Sequence, residues 1–163
     1  MLTSKGAYDV VIVGAGPSGS TLAAMLARAG FNTALVERES FPRFKIGESL
    51  LPYSLDVLRL SGALEHIEAS GKFIRKYGAQ FIDWRMNEQF YFEFQNSLDQ
   101  DHGYSFQVPR AEFDNELLIH AKRSGATVIQ PAAVSKVNLN IDSVEVETSM
   151  GNIKAKYLVD ATG

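Results

Sequence analysis

Residues 8–37 read YDVVIVGAGPSGSTLAAMLARAGFNTALVE, and this stretch decides the fold. Val10, Val11, Ile12 and Val13 form a short, fully β-branched apolar run, the pattern of a strand buried on both faces of a parallel sheet. Gly14, Gly16 and Gly19 follow, with Pro17 suited to a first helical turn. Leu22, Ala23, Leu26 and Ala27 then keep a helical apolar period until Gly30. The stretch therefore predicts strand, tight glycine turn, helix, and a second strand ending at Glu37.

Glycines spaced as GxGxxG between a strand and a helix match the dinucleotide fingerprint. Gly14 permits the sharp turn, Gly16 removes a Cβ from the path of a pyrophosphate, and Gly19 lets helix and strand pack closely. Ser18 and its neighbours in the first helical turn present N–H groups to phosphate. Glu37 lies 21 residues beyond Gly16, where an acid accepts hydrogen bonds from a ribose hydroxyl; a charged strand end is the plainer alternative. FAD and NAD both remain open at this step.

Composition narrows the class. The chain has 163 residues, 45% of them hydrophobic, with 16 basic and 19 acidic side chains and a net charge of −3. That suits a globular domain and gives nucleic acid nothing to bind. There are no cysteines, which excludes disulfides and thiolate chemistry and fits a cytoplasmic protein. His66, His102 and His120 lack metal-ligand spacing, so no metal site is expected. Neither a signal peptide nor a membrane span is expected.

Residues 41–52 read FPRFKIGESLLP and form a long connection after the acid, before the predicted helix YSLDVLRLSG with Pro52 in its first turn. Arg38 and Arg43 are suited to phosphate charge and Gly47 to an unusual backbone angle, although a solvated basic loop satisfies the same composition. In KYGAQFIDWRMNEQFYFEF, a regular strand would place Lys76, Gly78, Gln80, Ile82 and Trp84 on one face. A solvated strand-end lysine beside Arg75 is the alternative for Lys76.

The order VGAGPSGS, VER, FPRFKIGESLLP resembles the amino-terminal part of FAD-dependent monooxygenases of the hydroxybenzoate-hydroxylase type, specifically the flavin-dependent halogenase branch. That resemblance implies an α/β fold: a Rossmann-like FAD-binding domain with a parallel sheet, crossover helices and a β-meander. It implies FAD as cofactor, with Arg43, Gly47, Glu48 and Ser49 near the flavin, and Lys76 as the catalytic lysine between flavin and substrate. The implied chemistry uses reduced FAD, dioxygen and halide. An amine in a dry passage then receives hypohalous acid, and partial burial would lower its pKa toward the neutral form.

Further along, Arg110, Phe113, Asp114, Leu117 and Leu118 match the R-x-x-F-D-x-x-L-L pattern of these flavoproteins, placing Arg110 near the cofactor. An i,i+4 pair of Arg110 with Asp114 is the structural alternative. ATVIQ reads as a strand returning to the sheet, followed by a meander with turns near Asn140–Asp142 and Met150–Asn152. By resemblance, Val134 covers the adenine, and the strand at Tyr157–Val159 leads into a small-residue turn, Ala161 and Gly163, against the cofactor.

The resemblance covers the front portion of a family member. Residues 1–163 are thus expected to be the amino-terminal part of an FAD-binding domain, incomplete relative to the family, with 41–108 supplying the flavin-side segment and the start of a substrate-side region. The missing carboxy-terminal part, or another chain, would complete it. The expected partners are a separate flavin reductase and a small aromatic, pyrrole-like or carrier-bound substrate. A flavoprotein dehydrogenase, an isoprenoid reductase and a non-catalytic nucleotide-binding module share the same front motifs.

Overall fold

A computed structural model of the chain describes residues 7–97 and 103–163; His102 lies outside them. The opening stretch forms β1 (Tyr8–Val13), α1 (Pro17–Arg28) and β2 (Thr33–Val36). Downstream come α2 (Ser54–Ser61), α3 (Leu64–Ser70), β3 (Ile74–Lys76), β4 (Gly78–Asp83), β5 (Glu88–Glu93) and β6 (Ser105–Gln107). Then follow α4 (Arg110–Arg123), β7 (Thr127–Ile129), β8 (Val134–Leu139), β9 (Val144–Thr148) and β10 (Gly151–Asp160).

The main sheet has the order β7-β2-β1-β10-β9-β8. β7, β2, β1 and β10 run parallel, whereas β8, β9 and β10 form the expected antiparallel meander. β1 is central, and its β-branched residues pack on both faces of the sheet. Val10 and Ile12 pack with Ala23 and Ala24 of α1 and Leu118 and Ala121 of α4, while Val11 packs with Val144, Val146 and Ile153 of the meander. Burying each such aliphatic side chain contributes about 1.5–3 kcal/mol. Small residues on α1 let it sit close to the sheet.

A second core lies beside the first. Leu55, Leu58, Ile67, Phe73 and Phe106 close around Phe113 and Leu117, so the two faces of α4 join the cores. The short helix α3, which sequence reasoning missed, supplies Leu64 and Ile67 to this layer and ends at Gly71 in the left-handed region. Pro52 sits in the turn just ahead of α2, with its carbonyl accepting the Leu55 N–H, rather than within the first helical turn.

One expectation fails outright. The segment bearing Lys76 and Trp84 is not a single regular strand, so these two side chains do not share a face of one strand. β3 ends at Lys76 and pairs with β6, whereas β4 pairs with β5 in a separate hairpin. Tyr77 marks the break: its carbonyl accepts the Phe94 N–H at 2.9 Å, which fixes the far end of the hairpin there. Trp84 is 79% exposed in the hairpin turn. Asp83 builds that turn by accepting the N–H groups of Arg85 and Met86, and Asn87 takes a positive φ of 54°.

Candidate functional site

The carboxyl ends of β1, β2 and β10 open onto a cleft of about 340 Å³ lined by Gly14, Glu37, Arg38, Arg43, Val134 and Gly163 among others. Crevices of this kind at strand carboxyl ends are where open α/β sheets take ligands. The three motif glycines differ in what the fold demands of them. Gly14 has a φ of +99°, and a Cβ there would lie 2.6 Å from the Ala161 carbonyl oxygen. At Gly19 a Cβ would collide with the Gly14 carbonyl. Both are required by the turn itself.

Gly16 is different. Its φ of −62° and ψ of −176° are open to any residue, and the nearest atom to an added Cβ is Arg43 Nη2 at 3.9 Å. No contact among the described residues demands glycine there. It caps α1 without any side-chain hydrogen bond to the first-turn N–H groups, and Pro17 and the exposed Ser18 complete that turn. An open, uncapped helix end is a cradle for phosphate, so these residues fit the pyrophosphate of FAD.

Glu37 is buried at the mouth of β2. Its Oε2 accepts the Ala15 N–H at 2.8 Å and its Oε1 the Glu39 N–H at 2.9 Å. The acid thus holds the glycine turn against the next loop, a task sequence reasoning missed. Each carboxylate oxygen keeps a further lone pair for ribose hydroxyls. Arg38 is exposed and pairs with Glu39 at 3.6 Å, and Lys45 and Thr162 also reach the cleft. Ala161 lies behind the turn, its N–H donating to the Val13 carbonyl at 2.8 Å.

The 41–52 segment is not a free loop. Asp114, fully buried in α4, accepts from Arg110 through Nε at 2.8 Å and Nη2 at 3.0 Å, and from Arg43 Nη1 at 3.3 Å. Arg110 Nη1 donates in turn to the Ile46 carbonyl at 2.8 Å. The i,i+4 pair therefore exists, and it also clamps the segment carrying Arg43 and Gly47 to α4. Gly47 has a φ of +99° and sits against Arg110 Nη1. Beyond it the chain joins β6 as a short third strand. The Glu48 carbonyl accepts the Val108 N–H at 2.8 Å, Ser49 bridges Gln107, and Leu50 N–H donates to the Phe106 carbonyl at 3.0 Å.

Lys76 is half-buried at the end of β3. Its Nζ donates to Ser49 Oγ and stands 5.3 Å from the centre of the Phe94 ring. Desolvation pulls its pKa below the ordinary lysine value, as the sequence reading anticipated. Glu48, Ser49 and Lys76 do not line the 340 Å³ cleft; Arg43 and Arg110 connect the two regions. Sequence reasoning had Asp114 as a member of the R-x-x-F-D-x-x-L-L match and as a helical partner of Arg110, and nothing in one dimension places Arg43 beside it across 71 residues.

Among the described residues no helix is long and apolar enough to cross a membrane, and no group of histidine and acidic side chains is placed to hold a metal ion. His66 pairs with Glu116 at 2.7 Å, and His120 donates to the Ser61 carbonyl at 2.9 Å.

Residues 7–163 match the family model described as FAD binding domain. The chain is 38% identical over 179 residues to the 1H-pyrrole-2-carbonyl-[peptidyl-carrier protein] chlorinase of Pseudomonas fluorescens, covering 96% of this chain and 39% of that protein. It is 38% identical over 161 residues to the tryptophan 2-halogenase of Chondromyces crocatus, covering 94% of this chain and 30% of that one. Among solved structures, the flavoprotein/dehydrogenase from Cytophaga hutchinsonii superposes with a TM-score of 0.87 at 34% identity, over 97% of this chain and 40% of that one. The chain thus spans between 30% and 40% of the length of these relatives.

Proposed function

Because this chain belongs to the FAD-binding domain family and binds FAD as its cofactor, we propose that it is the amino-terminal part of a flavin-dependent halogenase. Residues 41–108 would supply the flavin-side segment and begin the substrate-side region. The observation that carries this reading is the half-buried Lys76 amine, held on β3 and bonded to Ser49 of the Gly47-Glu48-Ser49 (GES) segment, which Arg110 and Asp114 tie to Arg43 at the nucleotide cleft.

Gly14, Gly16, Pro17, Ser18 and Gly19 would hold the pyrophosphate, Glu37 the ribose, and Val134 the adenine side of the cleft. Arg38, Arg43, Gly47, Glu48, Ser49, Arg110, Ala161 and Gly163 would flank the rest of the cofactor. Bound in reduced form, FAD would give two electrons to dioxygen, and the resulting peroxide-level oxidant would take two more from halide to yield hypohalous acid and water. Lys76 then has two uses. Its N–H orients the acid by hydrogen bonding, or its neutral amine takes the halogen and releases water. A lowered pKa enlarges the neutral fraction that the second route needs.

The substrate class that fits is aromatic or pyrrole-like, free or carrier-bound, since one relative acts on a carrier-bound pyrrole and another on tryptophan. A separate reductase would deliver reduced flavin, and a cysteine-free chain suits a reducing cytoplasm. The full-length protein supplied with reduced FAD is expected to give halide-dependent product, and Lys76→Ala to abolish halogenation while FAD absorbance is retained. Absence of halogenated product across a broad aromatic and pyrrole panel would overturn the assignment. A second reading, flavoprotein dehydrogenase, is favoured by the likeness to the Cytophaga protein. It predicts substrate-driven flavin reduction without halide.

A further inference from the structure

In antiparallel pairs, residues directly opposite one another place their side chains on the same face. The register pairs Lys76 with Ser105 and Ile74 with Gln107, and Ser49 bridges Gln107 from the other side of β6. Ser49, Ile74, Lys76, Ser105 and Gln107 therefore share one face of a three-stranded patch. The opposite face carries Phe106, which is sunk in the second core. Ile74 is 71% exposed and Ser49 is exposed, so the shared face is open along its two outer strands, while Ser105 on the middle strand is covered.

On that face the Lys76 side chain crosses the middle strand to reach Ser49. The residue opposite it is Ser105, small enough to be crossed, fully buried, and with a hydroxyl that has no hydrogen-bond partner among the described residues. A long lysine chain is entropically costly to fix, and a free amine would sample several rotamers. Here the Ser49 hydroxyl and the Phe94 ring hold it at two points. We propose that Ser49 is the positioning residue of Lys76, fixing the amine at the flavin-side edge of the patch; its catalytic consequence rests on the halogenase reading.

The role explains why a hydroxyl stands in the GES segment at the point where that segment joins β6. It also couples the two ends of the site, because Glu48 and Leu50 on either side of Ser49 are tied to Val108 and Phe106 by backbone hydrogen bonds. Ser49 itself is exposed and outside both cores, so its replacement leaves the packing intact.

The test is competitive acylation of the full-length protein with acetic anhydride over the pH range in which lysines titrate, read peptide by peptide by mass spectrometry. Ser49→Ala is expected to raise Lys76 labelling several-fold against the other lysines, and Ser49→Thr, which keeps the hydroxyl, to return it to the wild-type rate. In turnover, Ser49→Ala is expected to lower kcat for halogenation by about 10- to 100-fold with KM for the organic substrate unchanged, a loss of alignment rather than of binding. A Ser49→Ala protein whose Lys76 labels at the wild-type rate overturns the proposal. A Lys76→Ala protein that still halogenates overturns instead the reading beneath it.

Discussion

The glycine turn and the proposed Lys76 patch are organised in two different ways on one scaffold. At the turn, function is built from backbone: Gly14 and Gly19 are forced by contacts with Ala161 and with each other, and Glu37 pins Ala15 with a buried carboxylate. At the patch, the proposed chemistry would rest on side chains from three short strands, whose outer strands are open. The first can tolerate almost no local change, whereas the second is adjusted by single side-chain contacts.

The join between them is Asp114, and breaking it should have the largest effect. With no exposure, this carboxylate answers two guanidinium groups, from Arg43 and Arg110. Asp114→Ala leaves those cations facing a small cavity in α4, and removal of one member of a buried ion pair costs about 3–5 kcal/mol. Urea unfolding of the full-length variant should show that loss. Wild-type stability would mean that the GES segment is held by its β6 hydrogen bonds alone.

Within the turn, two glycines sharpen the contrast. Gly19→Val drives a side chain into the Gly14 carbonyl, and overpacking of this kind costs about 3 kcal/mol or more. Gly16→Ala meets nothing nearer than 3.9 Å, so its stability should stay within about 0.5 kcal/mol of wild type while FAD affinity, measured by equilibrium titration, falls. Equal destabilisation by both variants would show that Gly16, too, is a folding residue and not reserved for a ligand.

Sequence alone revealed the turn more fully than the patch, for a physical reason. The β1-turn-α1 unit is local: its glycines, apolar periods and the acid at residue 37 are read within 30 residues, and the parallel sheet and meander follow from the same periodicities. The patch is assembled from residues near 49, 76 and 105, whose pairing is set by tertiary contacts. KYGAQFIDWRMNEQFYFEF alternates well enough to pass for one strand. The signals of a break were the Asp83 and Asn87 turn residues, outweighed by the apolar pattern around them. The role of Asp114 depends on Arg43 and had no local trace.

The smallest effect concerns the outer wall of the second core, which lines neither the cleft nor the shared face of the Lys76 patch. Glu116 is buried in α4, with Lys72 Nζ at 2.5 Å and His66 Nε2 at 2.7 Å. The Lys72 hydrogen bond is the largest influence on its carboxyl and, with His66, holds the pKa below the ordinary glutamate value against the opposing desolvation. A folded-state pKa below the unfolded one means that the unfolded chain binds the proton more readily. The stabilisation is therefore complete above the unfolded glutamate pKa and disappears as pH falls through the folded value. Glu116→Gln should flatten this part of the stability profile measured by thermal melting in acid, while leaving FAD binding and Lys76 labelling as in the wild type. An unchanged acid limb would assign the pH dependence to other carboxylates.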